Sequence, residues 1–68
     1  GAAREGAYQE RILSALGEQA MSRNELAREL GYKGVSARLT RAVEDMLARG
    51  ALQNEIVDGR VKLRARGK

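Results

Sequence analysis

The chain has 68 residues, 43% of them hydrophobic, and a net charge of +4 from 13 basic and 9 acidic side chains. One small domain is the ceiling at this length. Without Cys or His there is no thiol nucleophile, no imidazole base, no disulfide and no ordinary zinc site.

No catalytic, metal-binding or cofactor-binding residue is therefore expected. Paired carboxylates remain, but the adjacent Glu44 and Asp45 read as a solvated helix face, and the chain is read as not an enzyme. There is no Phe and no Trp, so Leu, Ile, Val, Met and Ala must fill the core. Such a core leaves a stability margin of about 3–5 kcal/mol. No apolar run approaches the ~18 residues of a membrane span.

Residues 1–6 are expected to be a linker or tag remnant. They lack the basic start and apolar stretch of a signal peptide. The absence of Met at position 1 leads to the expectation of a module from a larger protein.

Residues 7–17, AYQERILSALG, predict a helix. Tyr8, Ile12, Leu13 and Leu16 share one side at helical spacing. Gln9, Glu10, Arg11 and Ser14 are expected mostly on the other, and Gly17 is the expected stop. This helix is also the candidate for any exposed apolar strip at a dimer contact. A short extended link follows, with a third strand expected near Ala20–Met21.

Ser22-Arg23-Asn24-Glu25 has the capping-box pattern, so a second helix starts near Arg23. It buries Leu26, Ala27 and Leu30 and ends at Gly31. Gly31 to Gly34 form a turn. The third helix runs from about Val35 or Ser36 to Arg49, with Val35, Leu39, Ala42, Val43, Met46 and Leu47 as its apolar stripe. Ser36, Ala37, Arg38, Thr40, Arg41, Glu44, Asp45 and Ala48 fall on its exposed side. Tyr32 is read as cover for the core beside Leu30, and Tyr8 as core.

Asp58-Gly59 suits a two-residue type I′ hairpin turn. Folding there sets Val57 against Arg60, Ile56 against Val61 and Glu55 against Lys62. Leu52, Ile56, Val61, Leu63 and Ala65 then share one face with Asn54. That apolar face is expected to pack on the helices. Gln53, Glu55, Val57, Arg60, Lys62 and Arg64 take the other face, with Glu55 and Lys62 as a cross-strand pair.

Residues 60–68 hold Arg60, Lys62, Arg64, Arg66 and Lys68 and no acid, so the first 59 residues are close to neutral. This favours an anionic partner, nucleic acid first and acidic protein second.

The order of helix, extended link, helix, turn, helix and hairpin resembles the winged helix-turn-helix family. The residues that carry the resemblance are SRNELARELGYKG for the second helix and turn, VSARLTRAVEDMLARGAL for the third helix and its exit, and QNEIVDGRVKLR for the wing. It covers residues 7–65, with 66–68 as a basic tail. The segment looks most like the winged-helix modules at the ends of Fic-type and RecG-like bacterial proteins. The resemblance implies an α+β, mainly α fold. It also implies a cytoplasmic, DNA-binding module of a regulatory or DNA-processing protein, with other domains of the parent chain as further partners. Helix three would enter the major groove and the wing would touch backbone or minor groove.

On that reading the DNA-binding residues are Lys33, Ser36, Arg38, Thr40, Arg41, Arg60, Lys62 and Arg64. Arg38 and Arg41 precede Glu44 and Asp45 along helix three, against the preference of the helix dipole. An anionic partner at the first half of the helix explains that order. The plainer explanation is pairing of Arg41 with Glu44 and Asp45. Ser36 is also a natural N-cap. Arg23, Asn24 and Arg28 are weaker candidates for backbone contact. The alternative function is a protein-interaction module without DNA binding. Recognition of unstacked RNA bases is disfavoured by having only two aromatic residues.

Overall fold

Ser22 starts the second helix as its side chain dictates. The Ser22 hydroxyl accepts from the Glu25 amide at 3.1 Å, and the Glu25 carboxylate accepts from the Ser22 amide at 2.9 Å. Both bonds of the capping box are thus made, and helix α2 spans Arg23–Glu29. In the computed structural model, which describes the backbone of residues 2–66 and the side chains of residues 6–66, two longer helices flank it. Helix α1 is Ala2–Leu16 and helix α3 is Ala37–Ala48. Helix α1 begins upstream of the predicted Ala7, so most of the stretch read as a linker is helical. Ala2, Ala3, Arg4 and Glu5 are good helix formers, and the apolar pattern could not register them because they add nothing to the stripe.

Helices α2 and α3 end alike. The Gly31 amide donates to the Arg28 carbonyl and the Tyr32 amide to the Ala27 carbonyl, both at 2.9 Å. At the other helix the Gly50 amide donates to Leu47 and the Ala51 amide to Met46. These paired bonds need a residue with positive φ just past the cap, and Gly31 and Gly50 supply it.

Strands β1 (Leu52–Val57) and β2 (Arg60–Ala65) form an antiparallel hairpin in the predicted register, from Val57 opposite Arg60 to Leu52 opposite Ala65. Asp58 and Gly59 both have positive φ at the turn, as a type I′ turn requires. The short third strand is present as one bridge. The Met21 amide donates to the Leu63 carbonyl at 2.9 Å, and the Leu63 amide donates back at 2.6 Å. Three helices followed by a hairpin wing give an α+β, mainly helical, winged-helix-like layout.

The core lies where the three helices meet the base of the hairpin. Tyr8, Ile12 and Leu16 enter from α1, and Leu26 and Ala27 from α2. Leu39, Ala42, Val43 and Met46 enter from α3, and Leu52 and Leu63 close the core from the strands. Three predicted assignments differ. Gln9, expected on the polar side of α1, is buried. Val35 is exposed because it precedes the Ser36 cap and lies outside α3. The apolar face of the hairpin packs only at its base: Ile56 and Val61, near the turn, are 67% and 51% exposed. The strands extend past the edge of the small helical layer, so alternation along the strand outlasts the surface that could cover it. Ile56, Val61 and Val35, rather than α1, are the exposed large hydrophobic residues among those described.

Candidate nucleic-acid interface

The Ser36 hydroxyl accepts from the Leu39 amide at 3.1 Å and caps α3, with no acidic residue in the first turn. Leu39, Val43 and Met46 fix the buried side of this helix. A period of 3.6 residues per turn then turns Ala37, Arg41, Glu44 and Ala48 directly outward, and all four are exposed. Lys33 and Ser36 are also exposed just ahead of the helix, whereas Thr40 is half-buried on the flank. Thr40 is thus the least accessible of the five predicted site residues around α3.

Arg38 takes the flank that faces α1. Its guanidinium lies 4.1 Å from the centre of the Tyr8 ring, an attraction between cation and ring face that fixes the side chain while its edge stays exposed. Beneath it, the Tyr32 and Tyr8 hydroxyls share a hydrogen bond at 3.3 Å. Tyr32 is half-buried against the core, as predicted, and Tyr8 is 3% exposed within it.

Burial, then the Tyr32 hydrogen bond and its nearby charge, push the Tyr8 phenol up to about 12, against the weaker pull of Arg38 and Arg11. The neutral phenol is therefore favoured by the fold. Its contribution to stability is complete below the unfolded value near 10 and is lost as the pH climbs toward about 12. Replacing Tyr32 by Phe leaves Tyr8 as the single tyrosine, so tyrosinate absorbance then reports it alone. Its titration midpoint should fall from that of the parent yet stay above the ordinary value, because burial is the larger cause.

The second half of α3 is tied to α1. The Gln9 amide donates to Asp45 at 2.8 Å, and its carbonyl oxygen accepts from Arg49. Asp45 and Arg49 also pair directly, 3.7 Å apart, one helical turn from each other. Asp45 thus has a structural partner, which accounts for half of the charge order that runs against the helix dipole. Among the described residues neither Glu44 nor Asp45 pairs with Arg41.

On the wing, two of the three predicted cations have carboxylate partners. Lys62 is half-buried and pairs with Glu25 at 3.2 Å, across from α2. Arg64 pairs with Glu55 at 2.8 Å and donates to the Glu18 carbonyl at 2.7 Å. Glu55 lies opposite Lys62 in the register, but its carboxylate takes the diagonal neighbour because Lys62 is drawn to Glu25. Of the three predicted wing cations, only Arg60 is exposed without a carboxylate partner among the described residues.

The clip to α2 is charge-dependent. The Ser22 backbone, then Lys62 and the Ser22 hydroxyl, hold the Glu25 carboxyl below its usual range. Its contribution is present above the usual carboxylate value and fades as the pH falls through the lowered one.

The structure therefore brings Lys33, Ser36, Arg38 and Arg41 together around the start of α3 and places Arg60 at the wing tip. It diverts Lys62 and Arg64 into structural pairs. The residues missed from sequence are Gln9, Glu18 and Glu25, each joined to a partner far along the chain. Among the described residues no group of acidic side chains is placed to hold a metal ion, and no helix is long and apolar enough to cross a membrane. No protein-family model matches the chain, and no curated protein and no solved structure matches it either.

Proposed function

We propose that this chain is a cytoplasmic, duplex-DNA-binding winged-helix module of a larger bacterial regulatory or DNA-processing protein. The observation that carries the reading is the start of α3. Its outward Ala37 and Arg41 are joined by exposed Lys33, Ser36 and Arg38, with no acid in the first turn. A small residue beside arginine lets a helix approach base edges closely while the guanidinium reaches guanine or phosphate. Lys33 and Arg38 serve phosphates on either side, and Arg60 adds one contact from the wing.

Four cations take part in this footprint instead of six. Each phosphate neutralised contributes about −0.9 to the slope of log affinity against log salt, so the slope should be near −3.6 rather than −5.4. Fluorescence anisotropy with a random-sequence duplex over a salt series measures it. Binding that ignores salt would sink the DNA reading.

A second reading has its own support. Ile56 and Val61 form an exposed apolar pair at the wing tip, which suits a protein contact better than a phosphate. That reading expects no shift with duplex DNA even at low salt, and a partner surface that covers the wing tip.

A further inference from the structure

Three shallow hollows lie in succession along one side of α3, two of them reaching α1. One of about 190 Å³ is lined by Ala7, Tyr8, Arg11 and Arg38. It shares Arg38 with a hollow of about 330 Å³ lined also by Ala37, Arg41 and Ala42. That one shares Arg41 and Ala42 with a third, of about 250 Å³, which ends at Gln9 and Asp45. Together they form one open groove with an alanine and tyrosine floor. They are too open to enclose a small molecule, and their shape suits a side-on partner.

The charge along the groove is graded. Arg11, Arg38 and Arg41 rim its first two-thirds, and none has a carboxylate partner among the described residues. Arg49, at the far end beside Gln9 and Asp45, and Lys62 and Arg64, on the wing, are each paired. Arg38 is already immobilised on the Tyr8 ring, so its N–H edge can meet a carboxylate with little further ordering. At the far end the charge falls to that of the Asp45–Arg49 pair, so the positive rim stops there.

We propose that this groove docks an acidic helical segment of a partner protein. Its carboxylates would meet Arg11, Arg38 and Arg41, small apolar residues would rest on Ala7 and Ala42, and no acid would lie over Asp45. Two features favour a peptide over a nucleic-acid strand. A uniform polyanion gains nothing over the paired Asp45 and Arg49, whereas a peptide can be uncharged there. A sugar-phosphate strand also gains little from an alanine floor, which a helix with apolar positions can cover. The groove shares Arg38 and Arg41 with the proposed DNA surface, so the segment and duplex DNA would exclude one another. The peptide reading stands without the DNA reading.

The test is an NMR titration of the folded chain with three probes. One is a synthetic helix with glutamates a turn apart on one face and alanines between them. The others are the same peptide with glutamines and a random-sequence duplex. The glutamate peptide should shift Ala7, Tyr8, Arg11 and Ala42, and the glutamine peptide should bind at least about tenfold more weakly. Arg11→Ala should weaken the glutamate peptide roughly fivefold and leave duplex affinity within about twofold. Equal binding of the two peptides, shifts outside the groove, or a duplex that shifts Ala7 and Arg11 as strongly would overturn the proposal. The peptide measurements contain no DNA, so failure of the duplex to bind removes only the DNA reading.

Discussion

Replacing Leu63 by Ala should unfold much of the population at room temperature, while Ile56→Ala should leave the melting transition nearly unchanged. Both side chains lie on the same face of the same hairpin. Leu63 is 0% exposed and Ile56 is 67% exposed. Deleting a buried leucine side chain removes about 2–5 kcal/mol, from lost transfer energy and the cavity left behind. That is comparable with the whole margin of about 3–5 kcal/mol expected for a core of this size. Leu63 also carries the two backbone bonds to Met21, so any shift of the strand disturbs the link between wing and helices. An exposed position such as Ile56 changes stability by about 0.5 kcal/mol or less. Thermal unfolding followed by circular dichroism measures both variants. A large loss for Ile56→Ala would mean that the wing tip is covered.

On the proposed DNA-binding function, Arg41→Ala should weaken duplex binding by about 1–3 kcal/mol, whereas Arg64→Ala should scarcely change it. Arg41 points outward from the middle of α3, in the position from which a recognition helix reaches base edges. Arg64 is held by Glu55 and the Glu18 carbonyl, so recruiting it to phosphate would first break that arrangement. Its loss should instead appear in stability, at about 0.5–1.5 kcal/mol. Anisotropy titrations at fixed salt, paired with denaturant melts, separate the two effects. If Arg64→Ala weakens DNA binding more than Arg41→Ala does, the wing is engaged and its ion pairs open on binding.

The helix starts and stops were legible because each is a local matter. Ser22 and Glu25 are three residues apart and satisfy each other's orphan amides. Gly31 and Gly50 end their helices within one turn. The hairpin register followed from the two residues of its turn and the alternation beside them. The candidate site was legible only in part. Arg38 and Arg41 were placed correctly on the surface because helical spacing fixes direction, and Lys33 and Ser36 because they lie in the turn and cap ahead of α3. The partners of Lys62 and Arg64 were not legible, because alternation tells which face a side chain takes and says nothing of what lies opposite. Glu25 is 37 positions from Lys62 in the chain, and only the packing of β2 against the start of α2 makes them neighbours.

By itself, then, the sequence determined the order, caps and turns of the elements, the hairpin register and the exclusion of thiol, imidazole and ordinary zinc chemistry. Those depend on contacts within a few residues or on which side chains exist at all. The tertiary structure decided which cations remain available, why Asp45 sits where the helix dipole disfavours it, and how far along the wing the core extends. Each of these depends on surfaces brought together from distant parts of the chain. Buried amides and half-buried charges take the nearest partner that packing provides, and periodicity along the chain holds no record of that partner.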